Sequence, residues 1–568
     1  MLDVADDFST WPPAATVSCA GAPPSAPGLG PEPGATKGRA ALTAGVALFL
    51  ALAAGPAGAQ ESDVSQTPNA EQAGIKKSLQ EQVGPGQGDV NTPESSVFVI
   101  KRDPFRAISR GRQLFQRKFT AAQGLGPRTG DGVGDIGTSE TGIFEASVVA
   151  GLSDSCATCH GRPRGSAGTG GNVFTRPDSR DAPHLFGIGL VEMLADEVTA
   201  DLRAIRAGAR EEAEGSGAPV TAALVSKDID YGALTAFPDG RVDTSRVEGV
   251  DPDLRVDPFF AEGEEFALRT FIVGALNAEM GLESPDPILL AAHRKERVES
   301  PAGMVLDGML DAIPTVPVQH AGEDGDGDGV ANEIDPALID YLEFYLLNYF
   351  RPALYLPDAT LEGSGRRLMH RVDCTSCHRA DLVVERDRRV ADVDTGYDPD
   401  RGGFNGLFAT AAGRFVEVED SPSFSPLLLP AEEPFLVRNI FTDLKRHDLG
   451  PDFWERNFNG TLQKEHVTEP LWGVGTTAPY GHDGRSINLR EVILRHGGEA
   501  QASRDAFAAL PTAQQETIIA FLQALVLFPP QDTASNLDPG DAADPDYPQF
   551  GHGGIALSVL FNDPSDPE

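Results

Sequence analysis

Two pentapeptides in this sequence share one pattern: Cys156-Ala157-Thr158-Cys159-His160 and Cys374-Thr375-Ser376-Cys377-His378. In this pattern the two thiols add to porphyrin vinyl groups as thioethers, and the adjacent histidine is the proximal ligand of the iron. A zinc half-site or a thioredoxin-like redox pair would need further cysteines or another context, and neither requires that histidine. Outside the two pentapeptides the chain has only Cys19. The sequence therefore predicts two covalently bound c-type haems.

The N-terminal region has the pattern of an export signal. Basic residues precede the apolar run 40–54, and small residues follow it up to residue 59. This order predicts a cleaved signal peptide over 37–59 and a periplasmic location. The apolar run is shorter than the roughly 20 residues that cross a bilayer, so we expect no membrane span. Residues 1–36 are interpreted as a misannotated N-terminal extension.

The size and charge of the chain limit which partners it is expected to bind. The chain has 568 residues, 40% of them hydrophobic and 23% charged, which is enough to bury the cores of two or three domains. The net charge of −39 argues against binding nucleic acid or anionic membranes. An acidic face could steer a small soluble electron donor such as a cytochrome c or a cupredoxin. The alternative is that the charge serves solubility.

Helical periodicity recurs around both pentapeptides. The stretches 111–115 and 363–368 stand in corresponding places ahead of them, which indicates a repeated unit of helix followed by haem. Thr512 and Gln515 have the spacing of a capping box for a helix over 513–525. Strand signals are few and short.

These signals predict a mainly α fold of two cytochrome c-like haem domains with long loops, bridged by a helix next to a calcium-type loop. The predicted segments are a flexible lead-in at 60–96, an N-terminal haem domain at 97–335, a bridging helix at 336–352, a C-terminal haem domain at 353–530 and an acidic tail at 531–568.

The loop 324–335 has oxygen ligands at the spacing of a calcium site. Positions 1, 3, 5, 7, 9 and 12 of such a loop carry the ligands, and a glycine at position 6 makes the turn. Aspartate stands at position 12, where a bidentate glutamate usually closes the loop. An acidic surface turn is the alternative. A bound calcium ion would fix how the two haem domains face each other. The candidate ligands are Asp324, Asp326, Asp328, Val330, Asn332 and Asp335.

His496 is the candidate sixth ligand of the second haem. Asn488 and Glu491 are placed to cap a short helix, and Gly497 follows the histidine as a helix stop. The histidine is therefore held on a short rigid element. On position alone, a histidine that favours the helix dipole is an equal alternative.

Several motifs together resemble the bacterial di-haem cytochrome c peroxidase superfamily, and most closely its di-haem oxidoreductase branch, whose members are often labelled thiol oxidoreductases. The resemblance covers about residues 97–527. The motifs are Leu125-Gly126-Pro127, Phe186-Gly187-Ile188-Gly189-Leu190, Asp326-Gly327-Asp328-Gly329, Ala478-Pro479-Tyr480-Gly481-His482-Asp483-Gly484-Arg485, Leu489-Arg490-Glu491 and His496-Gly497-Gly498-Glu499-Ala500.

The resemblance implies roles for single residues. His496 matches the distal ligand of the C-terminal haem, a position where methionine is usual, and histidine generally lowers the haem potential. For the reactive N-terminal haem the distal candidates are His184 and Met193, with an open sixth position as the alternative. Glu279 lies where the peroxidases place a glutamate that transfers the protons of peroxide. Arg485 is a candidate partner of a haem propionate.

We therefore expect an exported di-haem enzyme in which the haem on His378 and His496 passes electrons to a reactive haem on His160 that reduces peroxide. Three alternatives stay open: an electron-transfer cytochrome without peroxidase activity, a thiol oxidoreductase, and a haem-dependent oxygenase related to rubber-cleaving di-haem proteins.

Overall fold

The part of the chain that the structure describes contains eleven α-helices. This computed structural model describes residues 79–117, 119, 155, 156, 160, 182–314, 316, 318–320, 322–324, 330–349, 351–354, 360–392, 412–456 and 461–527. The predicted signal peptide, the acidic tail, Cys159, Asp326 and Asp328 lie outside these residues. The helices are α1 (Leu79–Val83), α2 (Ser96–Arg102), α3 (Pro104–Gln116), α4 (Ile188–Ser216), α5 (Leu268–Met280), α6 (Pro287–His293), α7 (Pro336–Leu347), α8 (Leu361–Arg371), α9 (Leu489–Arg495), α10 (Gln501–Ala508) and α11 (Thr512–Gln523).

Short strands pair in small antiparallel sheets between these helices. One sheet has three strands in the order β1-β2-β3, and the others are two-stranded. The strands are β1 (Val220–Ser226), β2 (Ile229–Ala236), β3 (Val242–Val247), β4 (Arg297–Glu299), β5 (Val305–Asp307), β6 (Ala353–Leu354), β7 (Leu382–Val384), β8 (Ala391–Asp392), β9 (Ala412–Gly413), β10 (Phe415–Val418), β11 (Leu427–Pro430), β12 (Phe435–Val437), β13 (Arg446–Asp448), β14 (Glu455–Arg456), β15 (Leu462–Gln463), β16 (Glu465–Val467) and β17 (Leu525–Val526).

The prediction of a mainly α fold with two cytochrome c-like domains is wrong. Helix accounts for 38% and strand for 18% of the structure. The β1–β2 hairpin turns at Lys227-Asp228, both with positive φ, which is the backbone of a two-residue hairpin turn without the usual Asn-Gly sequence. Apart from β3, which has six residues, the other strands have two to four residues, which is too short for a period of two to appear in the sequence.

The main hydrophobic core crosses the predicted boundary between two domains. It contains side chains of the N-terminal helices together with Leu382, Val437, Trp472 and Leu527, which come from the segment assigned to the second domain. A smaller core joins α8 to α11. The described residues all belong to one compact unit. Apolar burial therefore ties the two segments into one body.

The predicted bridging helix is present as α7. Asp335 is its N-cap and accepts a hydrogen bond from the amide of Ala337 at 2.8 Å, with Pro336 in the first turn. The helix is buried from Ala337 to Leu347. A buried helix between two haem motifs can set their separation rigidly.

Each helix ahead of a haem motif packs closely on a second helix through a glycine. A Cβ atom at Gly111 of α3 would lie 2.2 Å from the carbonyl oxygen of Tyr341 in α7. A Cβ atom at Gly365 of α8 would lie 2.3 Å from the ring of Phe521 in α11. Gly111 lies inside α3, and the close packing of α3 on α7 requires a glycine at this position.

The ends of the chain's described part differ from the sequence expectation in two ways. Residues 79–96, within the predicted flexible lead-in, include α1 and the N-cap Ser95 of α2. The capping box at Thr512 is absent, because Pro511 precedes the helix and the Gln515 amide donates to the carbonyl of Leu510 at 2.9 Å.

No helix among the described residues is both long enough and apolar enough to cross a membrane.

Asp392 provides a pH-dependent link between β8 and the chain after α7. Its carboxylate accepts from Arg351 at 2.7 Å and from Arg389 at 2.9 Å. Burial raises the pKa of Asp392, but the hydrogen bond from Arg351 and the charge of Arg389 outweigh it and hold the pKa below its usual value. A carboxyl with a depressed folded-state pKa stabilises the fold above its unfolded-state pKa, and this stabilisation is lost as pH falls through the folded-state pKa.

Asp392→Asn is therefore expected to lower the free energy of unfolding at neutral pH and to have no effect in acid below both pKa values. Urea unfolding of the wild type and the variant across a pH series measures this. The exposed Asp452→Asn is the matched control. A stability difference that stays constant with pH would contradict the prediction.

Candidate haem sites

In the first pentapeptide, a backbone hydrogen bond joins the histidine to the first cysteine. The amide of His160 donates to the carbonyl of Cys156 at 3.1 Å, and Nδ1 of His160 lies 2.9 Å from the carbonyl oxygen of Pro183. That contact assigns the ring proton to Nδ1 and leaves the Nε2 lone pair for a metal. Burial lowers the pKa of His160, which favours the neutral, ligating form.

The second pentapeptide has the same local geometry. Residues Cys374–Ser376 form a 3₁₀ turn, and the amide of His378 donates to the carbonyl of Cys374 at 3.0 Å. Nδ1 of His378 lies 3.0 Å from the carbonyl oxygen of Phe441. Burial lowers the pKa of this histidine as well. Both proximal candidates thus present Nε2 in the tautomer that iron requires.

His496 meets the same requirement and lies close enough to His378 to interact with it electrostatically. Asn488 caps α9 by accepting from the amide of Glu491 at 2.9 Å, and His496 ends the helix. Its Nδ1 lies 2.7 Å from the carbonyl oxygen of Val492. Burial, together with the nearby His378, lowers its pKa to about 4. The two imidazoles are close enough to interact, and each keeps Nε2 away from its carbonyl partner.

His184 is held differently. Its Nε2 lies 3.0 Å from the carbonyl oxygen of Trp472, and its Nδ1 accepts from the amide of Phe186 at 3.2 Å. Burial lowers its pKa to about 4. Both ring nitrogens are therefore hydrogen-bonded to the backbone. His184 could ligate iron through Nε2 only if its hydrogen bond to the carbonyl of Trp472 were broken. Met193, the other candidate, has its sulfur 3.1 Å from the amide of Arg388.

Helix α5 runs past the first site. The ring of Phe271 lies 6.2 Å from that of His160 in an edge-to-face arrangement. Glu279 lies two turns further along the helix, about 12 Å along its axis at 1.5 Å per residue.

A second carboxyl near α5 carries no recognisable sequence signal. The backbone of Glu265 pairs with Phe259, whose ring packs on Phe271. Burial raises the pKa of Glu265 to about 7, which is suited to proton transfer near neutral pH. Glu265 is linked to the first site through Phe259 and Phe271, and because this link depends on the fold, sequence reasoning missed it.

Two further polar side chains of the C-terminal segment lie in different environments. His447 lies between Asp443, 2.9 Å from its Nε2, and Glu499, 2.8 Å from its Nδ1. The side chain of Arg485 is 60% exposed and lies 3.5 Å from Asp483. In this position Arg485 is at the protein surface.

The calcium-type loop is described in part. The side-chain oxygen of Asn332 accepts from the amide of Gly322 at 2.9 Å, and Asp335 caps α7. Asp324 and Val330 are the other described members. The calcium site stays a prediction.

Residues 437–525 match a family model described as "Di-haem oxidoreductase, putative peroxidase". The matched stretch holds His496 and the loop 478–485 and lies outside both pentapeptides. No curated protein matches the chain. The match agrees with the resemblance to the di-haem oxidoreductases that the sequence predicted. The description of the matched family suggests a haem-dependent oxidoreductase with haem cofactors, and its name indicates a peroxidase-type activity.

Proposed function

We propose that this protein is a periplasmic di-haem c-type oxidoreductase that reduces peroxide at a reactive haem on His160, with electrons supplied through a haem on His378 and His496. The observation that carries the proposal is that these three partly buried histidines each bond a backbone carbonyl through Nδ1. Such an arrangement fixes the tautomer and the ring orientation of a metal-bound histidine. Hydrogen bonding of this kind also raises ligand basicity.

The two sites differ in a way that supports separate roles. A haem bound at each site supplies an iron that exchanges electrons and, where its sixth position is open, binds small oxidants. At the second site His496 offers a second imidazole. At the first site Nε2 of His184 is bonded to Trp472, which favours an open sixth position and a catalytic role over a pure electron-transfer role.

Proton transfer is the task of the chain's own carboxyls. Reduction of one peroxide to two waters consumes two electrons and two protons. A carboxyl beside the first site would take a proton from one peroxide oxygen and deliver it to the leaving oxygen. Glu279 is the candidate from the sequence and Glu265 the candidate from the fold. The raised pKa of Glu265 supports its use near neutral pH.

The remaining parts of the proposal concern partners and ions. The net charge of −39 supports a basic soluble donor, such as a cytochrome c or a cupredoxin. The oxygen spacing of 324–335 supports a calcium ion beside α7. Covalent attachment of both haems is supported by the two pentapeptides.

Glu279→Gln and Glu265→Gln, made separately, test the proton-transfer step. The carboxyl that serves the reaction should lose about 10²- to 10⁴-fold in peroxide turnover when changed to the isosteric amide, because the amide cannot shuttle a proton. Stopped-flow peroxide consumption with a reduced cytochrome c as donor measures this. The exposed Glu211→Gln is the control. Wild-type turnover in both variants would remove these carboxyls from the mechanism, and no turnover in the wild type would remove the peroxidase assignment.

A further inference from the structure

Three buried ligand-type side chains meet outside both haem pentapeptides. Glu455 comes from β14, His466 from β16, and His482 from the loop before α9. Each side chain is only 4% exposed. Nε2 of His482 lies 3.1 Å from one carboxylate oxygen of Glu455, and Nε2 of His466 lies 3.7 Å from the other. One ligand atom from each of the three residues therefore falls within 4.8 Å of the others.

The two imidazoles lie side by side over this carboxylate. Their ring centroids are 4.0 Å apart and their planes differ by 13°. Among the described residues, neither ring nitrogen of His466 has a hydrogen-bond partner. A buried polar group without a partner carries the full cost of leaving water. A metal ion bound here would therefore give the ring of His466 the polar partner that it lacks.

We propose that Glu455, His466 and His482 bind a divalent first-row transition ion of the zinc class. Two imidazole nitrogens and one carboxylate oxygen are a ligand set used for Zn²⁺, with a water in the fourth position. Metal binding needs neutral imidazoles, and burial lowers the pKa of His482.

Ion binding requires the rings to turn out of their stack, because the lone pairs of parallel rings do not converge on one point. The χ2 torsion of histidine is soft enough to allow that rotation. The ring protons then reside on Nδ1, and the Nε2 lone pairs face the metal.

The bound ion would join three segments that have little regular structure of their own. β14 pairs only with β15 among the described strands, and β16 pairs with β13. The loop of His482 leads directly into α9, which carries His496. The ring of Phe453 lies 6.0 Å from that of His482 and 5.4 Å from that of His496, so the site is one aromatic ring away from the second haem site. The proposed ion is thus a structural clamp for the segment that presents His496.

The test measures zinc in the haem-loaded full-length protein. The protein is treated with a chelator, equilibrated with Zn²⁺ and desalted, and its metal is counted by mass spectrometry. His466→Phe keeps a ring in the stack and removes both nitrogens, so we expect the zinc content to fall by one ion per chain relative to the wild type. Glu455→Gln keeps the volume and should weaken zinc binding at least tenfold. His293→Ala, at the end of α6, should bind as the wild type does.

X-ray absorption at the zinc edge provides a readout that a merely structural triad would not give. We expect imidazole scattering from two histidines in the wild type and its loss in His466→Phe. Circular dichroism and the haem absorption spectrum establish that each variant is folded, and His482→Phe serves if His466→Phe is not. Equal zinc content in the wild type and the folded histidine variants, or a zinc shell without imidazole, would overturn the proposal and leave a water-filled hydrogen-bonded triad.

Discussion

Replacing His496 by alanine is expected to convert the second haem from a low-spin to a high-spin state while leaving the first haem unchanged. His496 is partly buried at the end of α9, and its Nδ1 is fixed by the carbonyl of Val492. Its Nε2 is then the nitrogen that could ligate the iron of a haem bound at His378. Without it the iron loses a strong-field nitrogen ligand. Absorption and electron paramagnetic resonance spectra of the oxidised protein measure the change.

Two controls make this result specific. Added imidazole should restore the low-spin signal in His496→Ala, because it replaces the missing ligand. His293→Ala, which removes a histidine on α6, should leave both haem spectra as in the wild type. If His496→Ala has the spectrum of the wild type, the second haem uses another ligand.

Replacing Arg269 by methionine is expected to lower the free energy of unfolding by about 3–5 kcal/mol, the usual cost of removing one partner from a buried ion pair. The Arg269 guanidinium in α5 contacts Asp286 at 2.6 Å, Asp340 at 2.9 Å and Glu343 at 2.8 Å, and all four side chains are at most 1% exposed. Burial already raises the pKa of Asp340 to about 6 in spite of the arginine. Removing the arginine leaves three buried carboxyls without their cation.

Urea or thermal unfolding of the haem-loaded protein measures this effect. Arg241→Met is the matched control, because Arg241 pairs with Asp239 at the surface and its side chain is 71% exposed. An exposed ion pair contributes little to the free energy of unfolding, so the control variant should unfold as the wild type does. Equal losses in the two variants would show that the buried network does not hold α5 to α7.

Elements with a local chemical signal were predictable from the sequence. Pro336 in the first turn and the buried apolar run after it gave the start of α7, and Asn488 with Glu491 gave α9. The pentapeptides identified both candidate proximal histidines, because their spacing is set by the haem itself. In each case the residues that decide the structure lie within a few positions of each other.

Features that depend on distant contacts were not predictable. Some of the two-stranded sheets join segments far apart in the chain, as β17 and β6 do, and their strands are too short to show a pattern. The contact of His184 with Trp472 depends on residues 288 positions apart. The Gln515 side chain bonds the turn before α11 instead of completing a capping box, since Pro511 sets that turn. Glu265 and the triad of Glu455, His466 and His482 are likewise products of tertiary packing.

The central claim is that both pentapeptides carry haem through thioether bonds. The most direct measurement is the intact mass of the mature protein, made in cells competent for cytochrome maturation and treated to extract non-covalent haem. The account predicts a mass increased by two haems that acidified organic solvent does not remove. A mass with one added haem or none would contradict it.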